Sequence, residues 1–121
     1  MAELSYSSGT STEPLLGITI AEHFKRTAEA NPEAMALVDR YSDRRWTYAE
    51  FDRDTDAVAI GLIERGVKKG DRVGIWAQNL AEWALVQYAT AKMGAILVNV
   101  NPAYRSHELE YVVGQSGMTL L

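Results

Sequence analysis

The sequence predicts an α/β fold: a parallel sheet laid down as strand, helix, strand, helix, strand, preceded by a helix and a short hairpin. Three observations carry this. Two apolar runs, RVGIWA at 72–77 and AILVNV at 95–100, are too apolar to leave both faces in water. Each is followed by a segment with helical periodicity or a helix-start signal, so strand and helix alternate as they do in crossover-connected parallel sheets. Glycines and Asn-Pro steps fall at the junctions, at Gly66, Gly94, Asn31-Pro32 and Asn101-Pro102.

In chain order, residues 1–17 are rich in Ser, Thr and Gly without sustained periodicity, and a mobile lead-in is expected there, with the α/β domain over 18–121. Thr19 followed three residues later by Glu22 is a capping box, which predicts a helix from Ile20 to about Ala30, stopped by Asn31-Pro32. Met35, Ala36, Leu37 and Val38 read as a short strand. A polar turn through Ser42 and Asp43 then returns the chain to Arg45, Trp46 and Thr47 as a hairpin. Thr47 and Glu50 repeat the capping box and open a longer helix with Phe51, Val58, Leu62 and Ile63 on one face; Gly66 closes it where a left-handed residue is needed. After the first buried strand, Asn79 is expected to cap a third helix, with Glu82 three residues on. Trp83, Val86, Tyr88, Ala89 and Met93 form its apolar surface, and Gly94 ends it. A second buried strand at 95–100 leads to Asn101-Pro102 and to a helix that Ser106 would cap, running to about Val113. Met118, Thr119, Leu120 and Leu121 read as a third strand just begun, so the 121 residues are expected to be the first portion of a larger α/β protein.

Composition narrows the function. The chain is 47% apolar and 23% charged, ordinary for a globular domain. Its net charge is -4 and its 12 basic residues are scattered, which argues against nucleic acid or an anionic membrane as main partner. The one local cluster, Lys68, Lys69 and Arg72, reads as a solvated turn. There is no cysteine, and His23 and His107 stand alone, so neither a thiolate zinc site nor a metal motif is indicated. The longest apolar runs are well short of a transmembrane segment, residues 1–17 lack the marks of a signal or transit peptide, and a cytoplasmic location is the default expectation.

The stretch GVKKGDRVGIWAQNLAEWALVQYATAKMGAILVNVNPAYRSHELEYVV at 66–113 resembles the N-terminal segment of the adenylate-forming (AMP-binding) acyl-CoA synthetases. Within it NVNPAYRSHELEYVV is most similar to the medium- and long-chain fatty acyl-CoA ligases, and RWTYAEFDRDTDAVAIGLIERG resembles the helix that precedes the segment in that family. The resemblance implies that the fold is a portion of the large N-terminal domain of such an enzyme. For the complete enzyme it implies a two-step reaction: a fatty acid carboxylate attacks the α-phosphate of Mg-ATP to give an acyl-adenylate, and CoA then displaces AMP. It further implies ATP, Mg and CoA as cofactors of the full-length parent and none for this chain. The family's phosphate loop, acidic motif, ribose-binding aspartate and C-terminal lysine match no position here.

YSSGTSTEP at 6–14 is similar to the first half of that phosphate loop. It departs at Glu13, whose charge would repel a triphosphate, and no lysine follows Pro14. It also lies upstream of the first helix, so the match is coincidental. The recognisable residues are read mainly as scaffold, and no catalytic or metal-binding residue is nominated. Ligands of open α/β sheets lie beyond the carboxyl ends of strands, which makes Asn79, Asn101 and Arg105 the candidates for facing one. The leading expectation is an N-terminal fragment of a fatty acid-CoA ligase, inactive alone and prone to self-association. The alternatives are a free-standing α/β interaction or regulatory module and a small flavodoxin-like nucleotide-binding domain; against the latter, no GxGxxG and no P-loop lysine follows a strand.

Overall fold

The structure, a computed structural model, describes residues 9 and 11–121. Part of YSSGTSTEP and most of the expected lead-in fall on residues 1–8 and 10, outside the described residues. Gly9 and residues 11–17 carry neither helix nor strand. The elements are α1 (Ile20–Ala30), β1 (Met35–Asp39), β2 (Arg44–Thr47), α2 (Tyr48–Glu64), β3 (Arg72–Trp76), α3 (Ala81–Met93), β4 (Ile96–Val100) and α4 (Ser106–Ser116).

The helix starts follow from side-chain chemistry. The Thr47 hydroxyl accepts from the Glu50 backbone N-H while the Glu50 carboxylate accepts from the Thr47 N-H, a complete capping box. At α1 only half of the expected box forms. Thr19 Oγ1 accepts from the Glu22 N-H, but the Glu22 carboxylate turns to Arg26, one turn along the helix, and pairs with it. Past the end of α2 Gly66 takes φ +89°, and the cap of α3 is Gly94 at φ +78°, left-handed positions where a Cβ would be strained.

One core lies among α1, the hairpin, α2 and α3. Phe24, Ala28, Trp46, Phe51, Ala81 and Leu85 form it, with Leu37, Val58, Tyr48 and Tyr88 packed against them. The Phe24 ring lies 4.7 Å from Tyr88 and 5.6 Å from Phe51, the latter edge to face, an arrangement that favours aromatic quadrupoles. Thr55 and Thr90 are buried in the same helices, and each hydroxyl donates back to its own helix, to Asp52 O and Val86 O at 2.8 Å, so no polar group is stranded. Two apolar faces differ from the sequence reading. On α2 the buried line is Phe51, Thr55 and Ala59, whereas Ile63 points largely to solvent. On α3 the buried residues are Ala81, Leu85, Ala89 and Thr90, with Trp83, Val86, Tyr88 and Met93 only half-buried.

β1 and β2 form the expected antiparallel hairpin, with Asp39 opposite Arg44. β3 and β4 pair in parallel, Arg72 opposite Ile96 through Trp76 opposite Val100. Leu120 bridges to Val73, also in parallel, with Gly74 N donating to Leu120 O at 2.7 Å and Thr119 N to Arg72 O at 2.9 Å. Because alternate residues of a strand bond to opposite sides, β3 is central, between β4 and the 118–121 segment. Gly74 is needed there: a Cβ would come within 2.5 Å of Met118 Sδ and 2.8 Å of Leu121 Cδ1. β4 is less buried than its composition suggests. Val100 is buried, but Ile96 and Asn99 are exposed, since among the described residues only β3 pairs with it.

Candidate functional site

The carboxyl ends of β3 and β4 bring two of the three candidate residues to the same end of the sheet as neighbouring loops, and Arg105 follows in the second. Trp76, the last residue of β3, donates its indole N-H to Asn101 O at 3.1 Å, tying the two strand ends together. Asn101 spends its side-chain oxygen on the Ala103 N-H at 3.0 Å, while its carbonyl also accepts from Tyr104 N. It is thereby a turn-forming residue. Arg105 is exposed and caps α4, its backbone N-H donating to the Glu108 carboxylate at 3.1 Å; Ser106 is the first helical residue rather than the cap.

Asn79 does not cap α3. That position belongs to Leu80, whose side chain offers no acceptor, and Asn79 is exposed in the preceding loop. The reason is tertiary. Trp83 donates its indole N-H to Ala77 O at 3.1 Å, which fixes the loop before Asn79, and the Glu82 carboxylate, still in the first turn of α3, pairs with the hairpin instead of reaching back to a cap N-H. There Arg44 Nη2 meets Glu82 Oε1 at 2.6 Å, Arg44 Nε donates to Ser42 Oγ at 2.9 Å, and the guanidinium lies 5.1 Å over the Trp46 ring. The Arg44 hydrogen bond holds the Glu82 carboxyl below its ordinary range, the Ser42 hydroxyl does the same for Asp39, and Glu82 raises the Arg44 guanidinium. Between hairpin and loop lies a groove of about 350 Å³ lined by Leu37, Val38, Tyr41, Asn79 and Leu80.

These residues do not make a cradle for a magnesium-bound triphosphate. The strand ends offer side-chain amides and one guanidinium, and no lysine. Both helix starts nearest them already hold a carboxylate in the first turn, Glu82 in α3 and Glu108 in α4, which occupies the field an anion would use. Lys68, Lys69 and Arg72 sit at the other end of the sheet, before and at the start of β3. No group of three potential metal ligands occurs among the described residues. What the arrangement does is hold two loops in fixed positions over strand ends.

Comparison with known proteins assigns that framework. Residues 24–121 match the family described as AMP-binding enzyme. The chain is similar to the mitochondrial medium-chain acyl-CoA ligase ACSF2 of Macaca fascicularis, 44% identical over 118 residues, covering 98% of this chain and 19% of that protein. Among solved structures it is similar to the N-terminal domain of FACL13 from Mycobacterium tuberculosis, with TM-score 0.81 and 29% identity over 84% of this chain and 26% of that one. It is also similar to the NpsA N-terminal subdomain of Klebsiella oxytoca in complex with anthranilyl-AMSN, with TM-score 0.78, 26% identity and the same coverage. The chain therefore spans about a fifth of the length of that ligase. With a family match that runs from α1 to the last residue, and a fold shared with N-terminal domains of acyl-CoA synthetases, this chain belongs to the AMP-binding enzyme family.

Proposed function

We propose that these residues are the N-terminal scaffold of a fatty acid-CoA ligase, a polypeptide that activates a fatty acid with ATP to acyl-adenylate and transfers it to CoA. The observation that carries the reading is the family match over 24–121, supported by the 44% identity to a medium-chain acyl-CoA ligase. On this reading the segment contributes the parallel β3–β4 pair and the loops at Asn79 and Asn101, while phosphate binding and the catalytic lysine come from residues outside it. Alone it neither binds ATP or CoA nor turns over, and its exposed Ile96, Trp76 and Leu121 favour self-association. A cytoplasmic location belongs to the same proposal.

A chimera tests it. Residues 24–121 replace the corresponding segment of the Macaca ligase, and acyl-CoA formation from medium-chain fatty acids is measured beside calorimetric titration of the 121-residue chain with ATP and CoA. The expected result is an active chimera and no heat from the isolated chain. A folded but inactive chimera favours a free-standing interaction module, and ATP binding by the isolated chain overturns the scaffold reading.

A further inference from the structure

The base of the hairpin and its tip are held very differently. Trp46 is buried and donates its indole N-H to Asp54 at 2.9 Å, and Leu37 packs on the core. The tip at 40–43 is exposed, with Asp43 at φ +52°, and its bonds are local: Tyr41 N and Ser42 N donate to Asp39 Oδ1 at 3.0 and 3.4 Å. Across the groove stand Asn79 and Leu80 of the β3–α3 loop. Among the described residues one ion pair joins hairpin to α3, Arg44 with Glu82, 38 positions apart in the chain. Arg44 also faces Asp39 at 3.6 Å, so the same guanidinium organises the tip and reaches over to the helix.

We propose that the Arg44–Glu82 pair is a salt-sensitive latch that holds the tip of the β1–β2 hairpin against the start of α3, so that the groove beside Asn79 widens when the pair breaks. The side chains are 44% and 48% exposed, so solvent screens the pair and it shifts the closed-to-open ratio only about 1.4- to 5-fold. A bond of that strength is weakened by salt alone, which suits a strap rather than a rivet. The proposal rests on the reading of the strand ends as the ligand-facing end of a ligase domain only for what the groove serves.

The test is NMR on the 121-residue chain, comparing the native protein, Arg44→Met, Glu82→Gln and the double variant at about 50 mM and about 500 mM salt. The readout is the set of NOEs across the groove, from Val38 and Tyr41 on one side to Leu80 on the other. These are expected to weaken in each single variant and at high salt, with no further loss in the double variant, as the closed-to-open ratio falls about 1.4- to 5-fold. NOEs between Val73 and Leu97, paired in the sheet, stay unchanged. Unchanged NOEs across the groove, or an equal loss between Val73 and Leu97, overturns the latch. No ligand enters the measurement, so its failure is separate from failure of the ligase reading, and the salt comparison needs no variant to fold.

Discussion

Replacing Lys92 with methionine should unfasten α3 from α2 without emptying the space between them. The ammonium donates to Asp52 Oδ1 at 2.6 Å, Asp52 O at 2.8 Å and Asp56 Oδ1 at 2.7 Å, and it lies 5.5 Å from the centre of the Phe24 ring. Its side chain is only 14% exposed, whereas Asp52 is 32% and Asp56 60% exposed. The Asp56 carboxylate rehydrates when the cation leaves, so that half of the interaction is worth at most about 1 kcal/mol. The bonds to Asp52 are better sheltered, and hydrogen bonds to a charged group contribute about 1.5–3 kcal/mol. Methionine keeps the apolar stem, so little packing is lost. The net cost is about 2 kcal/mol, which lowers Tm by roughly 6–10 °C in a domain of this size. Thermal and urea unfolding followed by circular dichroism measures it, together with Asp52→Asn, Asp56→Asn and the paired variants. The double-mutant cycles should give a coupling of about 1 kcal/mol or more for Lys92 with Asp52 and a smaller one with Asp56. A Lys92→Met protein within about 0.5 kcal/mol of native stability, or strict additivity with Asp52→Asn, would refute the claim that this lysine ties the two helices.

Two further outcomes follow from the sheet and the hairpin. Gly74→Ala should displace Met118 and Leu121, since the added Cβ meets their side chains at 2.5 and 2.8 Å; both are flexible ends, so the cost is about 1 kcal/mol after the gain in backbone entropy. Its signature is faster exchange of the residue 74 N-H, which is bonded to Leu120 O, with β4 intact; equal protection in both proteins contradicts the close approach. For Glu82 the folded carboxyl is held below its ordinary value by Arg44, so its contribution is present above the unfolded value and is lost as pH falls through the lowered one. Side-chain carboxyl NMR should place its midpoint below that of an unfolded glutamate and move it upward in Arg44→Met. An unmoved midpoint would show that the pair does not persist in solution.

How far the sequence reveals the molecule depends on how local the deciding interaction is. The Thr47 capping box, the Gly66 and Gly94 stops and the hairpin are settled within a few residues, and the structure agrees with them. Asn79 carries the same local signal as Thr47, an acceptor three residues before a glutamate. Yet Glu82 is claimed by Arg44 and the loop by Trp83, so the helix begins later. Of the candidate site, the positions of Asn79, Asn101 and Arg105 beyond the strand ends were legible. That Asn101 uses its side chain to make a turn, and that two tryptophan N-H groups pin both loops, was not. Indole donors are read from sequence as core, and their acceptors lie on loops that only folding brings near.

By itself the sequence determined the order and type of the elements, because periodicity, caps and turn glycines act over one or two turns of chain; the alternation of strand and helix then implied the parallel relation of β3 and β4, and the resemblance at 66–113 pointed to the family. Tertiary structure alone decided which strand is central, which faces of α2 and α3 are buried, and the long-range pairs of Lys92 with Asp52 and Asp56 and of Arg44 with Glu82. Those depend on which distant side chains arrive at the same place, and a charge in a sequence carries no mark of the partner it will meet 36 to 40 residues away.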